Sequence, residues 1–169
     1  MGRCPDPEIH EMVHPVRILR FEQEADSAGA GEWRGGNGHV YRVQHLVPSV
    51  KATVFGSGSK AHAAPTGICG GRDPEPSRLT IERASGVREA IRLNTFFTVR
   101  AGDVIELRAM GGAGYGDPFV RDPERVARDV RDGYVSTDGA REKYGVGINA
   151  DGTVDNGATR ALRGGRKRP

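Results

Sequence analysis

The sequence predicts an α+β protein, a β-rich sandwich or curled sheet followed by a small C-terminal helical hairpin. Three observations lead there. Short apolar runs, several alternating with polar residues, recur as far as residue 108. Glycine, 25 of the 169 residues, clusters between those runs and supplies tight turns. Beyond Asp122 the chain turns into charged stretches with apolar residues at helical spacing. A chain of this length can bury a real core. The organisation that follows is an extended arm over residues 1–15, a β-rich domain over 16–121, a helical segment over 122–162 and a basic tail over 163–169.

Taken in order, the polar arm holds Pro5, Pro7 and Pro15 and shows no period, so it reads as extended. Residues 16–21 are apolar enough for a strand anchored by Val16, Ile18 and Phe21. A turn cluster at 26–31 runs into Trp33-Arg-Gly-Gly-Asn-Gly38. Residues 39–47 give a second strand. Val50, Ala52 and Val54 alternate with Lys51 and Thr53 to give a third, which suggests a sheet with one wet face. From 55 to 76 the chain is Gly, Ser, Pro and Ala, a long loop of the kind that is functional or lies against a partner. Strands resume around 79–82, 89–93, 94–99 and 104–108, with turns at Gly86 and Gly102. Asp122 then caps a helix that Pro123 opens and Gly133 closes. Val126 and Val130 share a face of it. A second helix starts at Ser136 and stops at Gly145, and a third short one spans about 155–162.

The net charge is +3, and part of the excess sits in Arg160, Arg163, Arg166, Lys167 and Arg168. Such a tail can touch nucleic acid or acidic lipid, but a solvated C-terminus accounts for it as well. No apolar run approaches the roughly 20 residues that span a membrane. The start of the chain is polar, without a signal peptide, and the two cysteines, Cys4 and Cys69, have no paired spacing. A cytoplasmic protein with reduced thiols is the expectation.

Gly111-Gly-Ala-Gly-Tyr-Gly-Asp-Pro118 is the most distinctive run. Successive glycine amides can cradle an anion, and this run sits between a strand and a capped helix. It lacks the Lys-Ser/Thr ending of a phosphate loop, so a close crossing of backbones is the main reading. Gly56-Ser-Gly-Ser-Lys60 has the wrong spacing too and reads as surface loop. Cys4, His10 and His14 offer three zinc ligands, yet the neighbouring prolines argue against a helix that would align them. His39, His45 and His62 are scattered. Asp117, Asp122, Asp129 and Asp132 serve as turn formers, caps and solvated charges. Trp33, the single tryptophan, is a core or interface anchor. No catalytic residue, no cofactor-binding residue and no metal ligand is assigned.

Three stretches together resemble one family. They are residues 16–38 with Asp26-Ser-Ala-Gly-Ala-Gly-Glu-Trp-Arg-Gly-Gly-Asn-Gly38, residues 102–118 with the glycine run, and residues 121–146 with Arg121-Asp-Pro-Glu-Arg-Val. Their order and spacing are similar to the C-terminal end of hydantoinase B/oxoprolinase proteins, a family that includes N-methylhydantoinase B and relatives in acetone and acetophenone carboxylases. Family members are several times longer. The resemblance implies a small non-catalytic subunit that completes a hydantoinase B-like component of an ATP-dependent carboxylase of the acetone/acetophenone type. A subunit of an ATP-dependent hydantoinase or oxoprolinase-type cyclic amide hydrolase is the alternative, and a binding module with a basic tail is a third. The implied partners are a hydantoinase B-like large subunit and a hydantoinase A-like ATPase. ATP and a divalent metal are implied for the complex and none for this chain.

Overall fold

A computed structural model of the protein describes residues 6–56 and 64–165. The chain divides into two compact units, each built from three separate stretches. The first takes residues within 1–22, 39–63 and 76–109, and the second residues within 23–38, 64–75 and 110–169.

In the first unit the expected extended arm is instead a helix, α1 (Pro7–Val13). The Asp6 carboxylate accepts the Glu8 amide at 2.9 Å and Pro7 occupies the first turn, where its missing N–H costs nothing. Pro15 lies just past the cap at His14. The prolines bracket the helix and do not break it.

Seven strands follow: β1 (Val16–Gln23), β2 (His39–His45), β3 (Ser49–Ala52), β4 (Arg78–Glu82), β5 (Arg88–Ile91), β6 (Phe97–Arg100) and β7 (Val104–Arg108). Five form a sheet in the order β1-β2-β7-β4-β5, and β3 pairs with β6 as a separate ribbon. The register fixes what each face carries, because side chains alternate with period two. Val43, Ile105 and Ile81 line up across three strands, and so do Tyr41, Leu107, Leu79 and Ile91. That face meets Val99, Phe97 and Ala52 of the ribbon and makes one apolar core. The opposite face carries Arg42 between Glu82 (3.1 Å) and Glu106 (3.2 Å), with Arg88 on Glu82 at 2.8 Å and Arg108 on Glu106 at 2.8 Å. The wet face anticipated from the alternation is an ion-pair ladder. The strand expected at 94–99 begins only at Phe97. Asn94 adopts φ +61° in a turn, and its amide group bonds both backbone groups of Gly56.

The β6–β7 turn is held by Asp103, 3% exposed, whose carboxylate accepts the amides of Arg100 (2.9 Å) and Ala84 (3.0 Å) and the Arg83 guanidinium (3.0 Å). Burial alone would push the Asp103 carboxyl up. The donors outweigh it and hold the group below its ordinary value of 3.8. A depressed native value means full stabilisation above the ordinary carboxylate range, lost as pH falls through the native value. Urea midpoints measured from pH 6 down to pH 2 are expected to fall in the acid range, and Asp103→Asn is expected to flatten that part of the profile.

The second unit holds a 3₁₀ turn (Pro118–Val120) and the helices α2 (Pro123–Arg131), α3 (Thr137–Tyr144) and α4 (Asn156–Gly164), with the short strands β8 (Gly147–Ile148) and β9 (Val154–Asp155) paired between α3 and α4. The caps lie where the sequence places them. Asp122 accepts the Glu124 amide at 3.0 Å, Ser136 Oγ accepts the Gly139 amide at 2.8 Å, and Gly145 closes α3 at φ +62°. Ser136→Ala is expected to cost about 1 kcal/mol, read from the denaturant midpoint. Val126, Ala127, Val135, Ala140, Tyr144, Val146 and Ala30 form the core of this unit. Burial pushes the Tyr144 phenol up to about 12, so it stays protonated throughout the working pH range. The α+β class therefore holds: α2 and α3 form where the hairpin is expected, α4 meets the third short helix expected near 155–162, and only α1 was not anticipated.

Candidate functional site

Three glycine-rich stretches of the second unit, around 27–36, 67–73 and 111–117, run side by side and are locked by their own backbones. Gly29 donates its amide to Gly112 O (2.8 Å), Gly112 to Gly36 O (2.8 Å) and Gly114 to Arg72 O (2.9 Å). Arg72 donates to Ala30 O (2.7 Å) and Gly116 to Ile68 O (2.9 Å). The stretches approach so closely that side chains are excluded. A Cβ on Gly114 would sit 2.1 Å from Ala30 O, and one on Gly71 2.1 Å from Gly114 O.

This arrangement supports the close crossing of backbones as the reading of the 111–118 run. The amides of Gly112, Gly114, Tyr115 and Gly116 all donate to carbonyls of the same chain, so they are spent and do not cradle an anion. Residues 67–73 of the 55–76 loop are the third member of this packing, where no strand pattern was legible.

Beneath the 32–35 stretch lies a buried ion cluster. Asp129, on α2, takes the Arg34 guanidinium at 3.2 Å on one oxygen and that of Arg121 at 2.9 Å on the other. Arg121 also donates to Glu32 O (2.6 Å), and Arg34 donates to Gly35 O (2.9 Å) while stacking 4.8 Å over the Tyr134 ring. Asp129 was expected to be a solvated helix charge. It is buried because it sits three positions after Val126, on the inward face of the helix. That spacing was the available signal. Its partner Arg34 lies far away in sequence and gave none.

On the outer surface of the same packing, Trp33 pairs with Tyr115, which pairs in turn with Ile68. All three stand more than half exposed, at 55%, 51% and 61%. Arg125 lies 5.0 Å over the Trp33 ring. Trp33 is thus an exposed surface residue and not part of the core, which leaves the interface half of its expected role.

The remaining candidates do not converge. His10 and His14 share one side of α1, with ring centroids 4.7 Å apart, but Cys4 lies outside the described residues. His39 packs edge-on against Phe21 (5.8 Å). His45 ends β2, and partial burial lowers its imidazole pKa against the pull of Asp103. His62 and residues 57–60 lie outside the described residues. Among the described residues no three His, Cys, Asp or Glu side chains group as for a metal ion. Cys69 is exposed and unpaired, next to Tyr115. Of the basic tail, Arg163 turns inward. It donates to Arg121 O (2.7 Å) and Tyr144 O (3.2 Å), because α4 continues to Gly164 and carries it there. Arg160 is exposed, and 166–168 lie outside the described residues. No helix among the described residues is long and apolar enough to cross a membrane.

Backbone-locked glycines, a buried ion cluster and an exposed aromatic row are what the second unit brings together. The family model for hydantoinase B/oxoprolinase matches residues 1–118, and the chain belongs to that family. It is 38% identical over 162 residues to caprolactamase subunit beta of Pseudomonas jessenii, covering 94% of this chain and 28% of that one. The crystal structure of the ATP-dependent caprolactamase from the same organism superposes with a TM-score of 0.77 at 37% identity, over 94% of this chain and 28% of that chain. The nucleotide-free structure of acetone carboxylase gives a TM-score of 0.77 at 27% identity, over 96% and 26% respectively. The chain spans about a quarter of the length of the relatives it matches.

Proposed function

We propose that this chain is a non-catalytic part of a hydantoinase B-like component in an ATP-dependent, multi-subunit enzyme, where it completes the fold of a larger hydantoinase B-like polypeptide. The observation that carries this is the glycine packing. Its amides serve the chain's own backbone, so the module holds shape and presents a surface. ATP and a divalent metal belong, on this reading, to other parts of the complex, including a hydantoinase A-like ATPase.

Two reaction types fit such a complex. The acetone/acetophenone type of carboxylase was the first expectation. Higher identity to the caprolactamase subunit (38%) than to the acetone carboxylase alpha subunit of Xanthobacter autotrophicus (29%) supports the cyclic-amide hydrolase instead. The test is co-expression with the hydantoinase A- and B-like polypeptides of its source, then size-exclusion chromatography with mass detection. Stoichiometric co-elution is expected, with ATP-dependent ring opening of a lactam or hydantoin by the complex. A chain that runs alone as a stable species and ignores those polypeptides overturns the reading. ATP-dependent carboxylation of a ketone by the complex returns the carboxylase type.

A further inference from the structure

We infer that the row Trp33–Tyr115–Ile68 is the face on which the remaining, larger part of the hydantoinase B-like fold docks. The inference rests on the reading above and adds to it the place of contact.

The row is built by the backbone. Trp33 and Tyr115 exchange amide bonds in both directions, at 3.0 and 2.9 Å. Ile68 is tied in alongside, its amide on Gly114 O at 3.1 Å and its carbonyl taking the Gly116 amide at 2.9 Å. Residues paired directly across adjacent strands point their side chains to one face, so the three form a continuous apolar strip. The glycines between them are tied to neighbouring stretches by backbone hydrogen bonds, Gly114 to Arg72 O at 2.9 Å and Gly116 to Ile68 O at 2.9 Å. The strip is therefore held in one shape before any partner arrives. A preformed aromatic strip loses little conformational entropy on binding, and Trp and Tyr are the side chains that dominate interface energies.

Each of these residues is more than half exposed. Exposed aromatic and aliphatic side chains fixed side by side are the kind of surface that serves as an interaction site. The occupant follows from length. The alignment covers 94% of this chain but only 28% of the caprolactamase beta subunit, so about three-quarters of that subunit has no counterpart here. That polypeptide is the partner of matching extent. Arg125, held over Trp33, sets a cationic edge to the strip, which calls for an acidic or carbonyl-bearing rim on the occupant.

The experiment replaces the matched segment of full-length Pseudomonas jessenii caprolactamase subunit beta with this chain, and compares wild type with Trp33→Ser/Tyr115→Ser. The same double substitution is made in the isolated chain. The expected result is a soluble, folded wild-type chimera, loss of most of that folded chimera in the double variant, and an unchanged melting temperature for the isolated chain. Trp33 is the chain's one tryptophan, so its fluorescence in the isolated chain should be freely quenched by acrylamide. Equal recovery of both chimeras overturns the docking face and leaves the completing role intact. A wild-type chimera that does not fold overturns both. A double variant that lowers the melting temperature of the isolated chain assigns the row to internal packing and overturns the inference.

Discussion

Asp129→Ala is expected to destabilise the protein by about 3–5 kcal/mol, because it leaves two guanidinium groups in the interior with no carboxylate. The side chains of Arg121, Asp129 and Arg34 are 9%, 11% and 17% exposed, so water screens the cluster poorly. Arg121 is the worse placed of the two arginines, since its Nε is already buried without a hydrogen-bond partner. The loss would appear as a lower urea midpoint at an unchanged slope. The sign of the effect belongs to the broken pair and not to the charges as such. Replacing all three residues by apolar side chains of similar volume is expected to cost less than removing Asp129 alone. A triple variant less stable than Asp129→Ala would show that the cluster contributes net stability.

Gly114→Ala is the second large effect. The new methyl would lie 2.1 Å from the carbonyl oxygen of Ala30, 2.5 Å from its carbon and 2.9 Å from Gly29 O. All of these are backbone atoms in a hydrogen-bonded packing, so no rotamer change relieves the clash. The expected cost is about 3 kcal/mol or more, at or above the upper end for overpacking, with loss of soluble protein at elevated temperature. Gly36→Ala supplies the control. Nothing lies within 4 Å of its Cβ position, and its φ is not in the left-handed region. That substitution is expected to be neutral, or to stabilise by up to about 1 kcal/mol through the unfolded chain. Thermal melts of the two variants side by side separate steric exclusion from a general intolerance of glycine replacement.

Much of the fold was legible because it rests on local chemistry. Asp122-Pro123, Ser136 and Gly145 each mark a helix end by a bond made within a few residues, and the structure places the ends there. Strands with alternating patterns were visible for the same reason. The misses share a different cause. The prolines near α1 were weighed as breakers, when position decides their effect: Pro7 in a first turn opens a helix. Asp129 was read by its charge, when its spacing from Val126 sends it inward. The glycine packing has no local signature, because each member is irregular until two remote stretches lie beside it. The resemblance to the hydantoinase B/oxoprolinase family was carried in part by those same glycines, and at Gly29, Gly35, Gly71 and Gly114 an added Cβ would meet backbone.

The second unit is closed by bonds between residues that emerge from a ribosome far apart in time. The Ser136 amide meets the Asp26 carboxylate across 110 positions, and Lys143 reaches the Asp26 carbonyl across 117. Stretch 23–38 is thus synthesised early, and the amides of Gly29 and Asp26 wait for their acceptors, Gly112 O and Tyr134 O, until those later residues exist. Translation outpaces neither helix formation nor turn closure, but it sets a floor of seconds on this wait. No contiguous fragment of the sequence, however it is cut, contains the second unit without the stretches of the first that lie between.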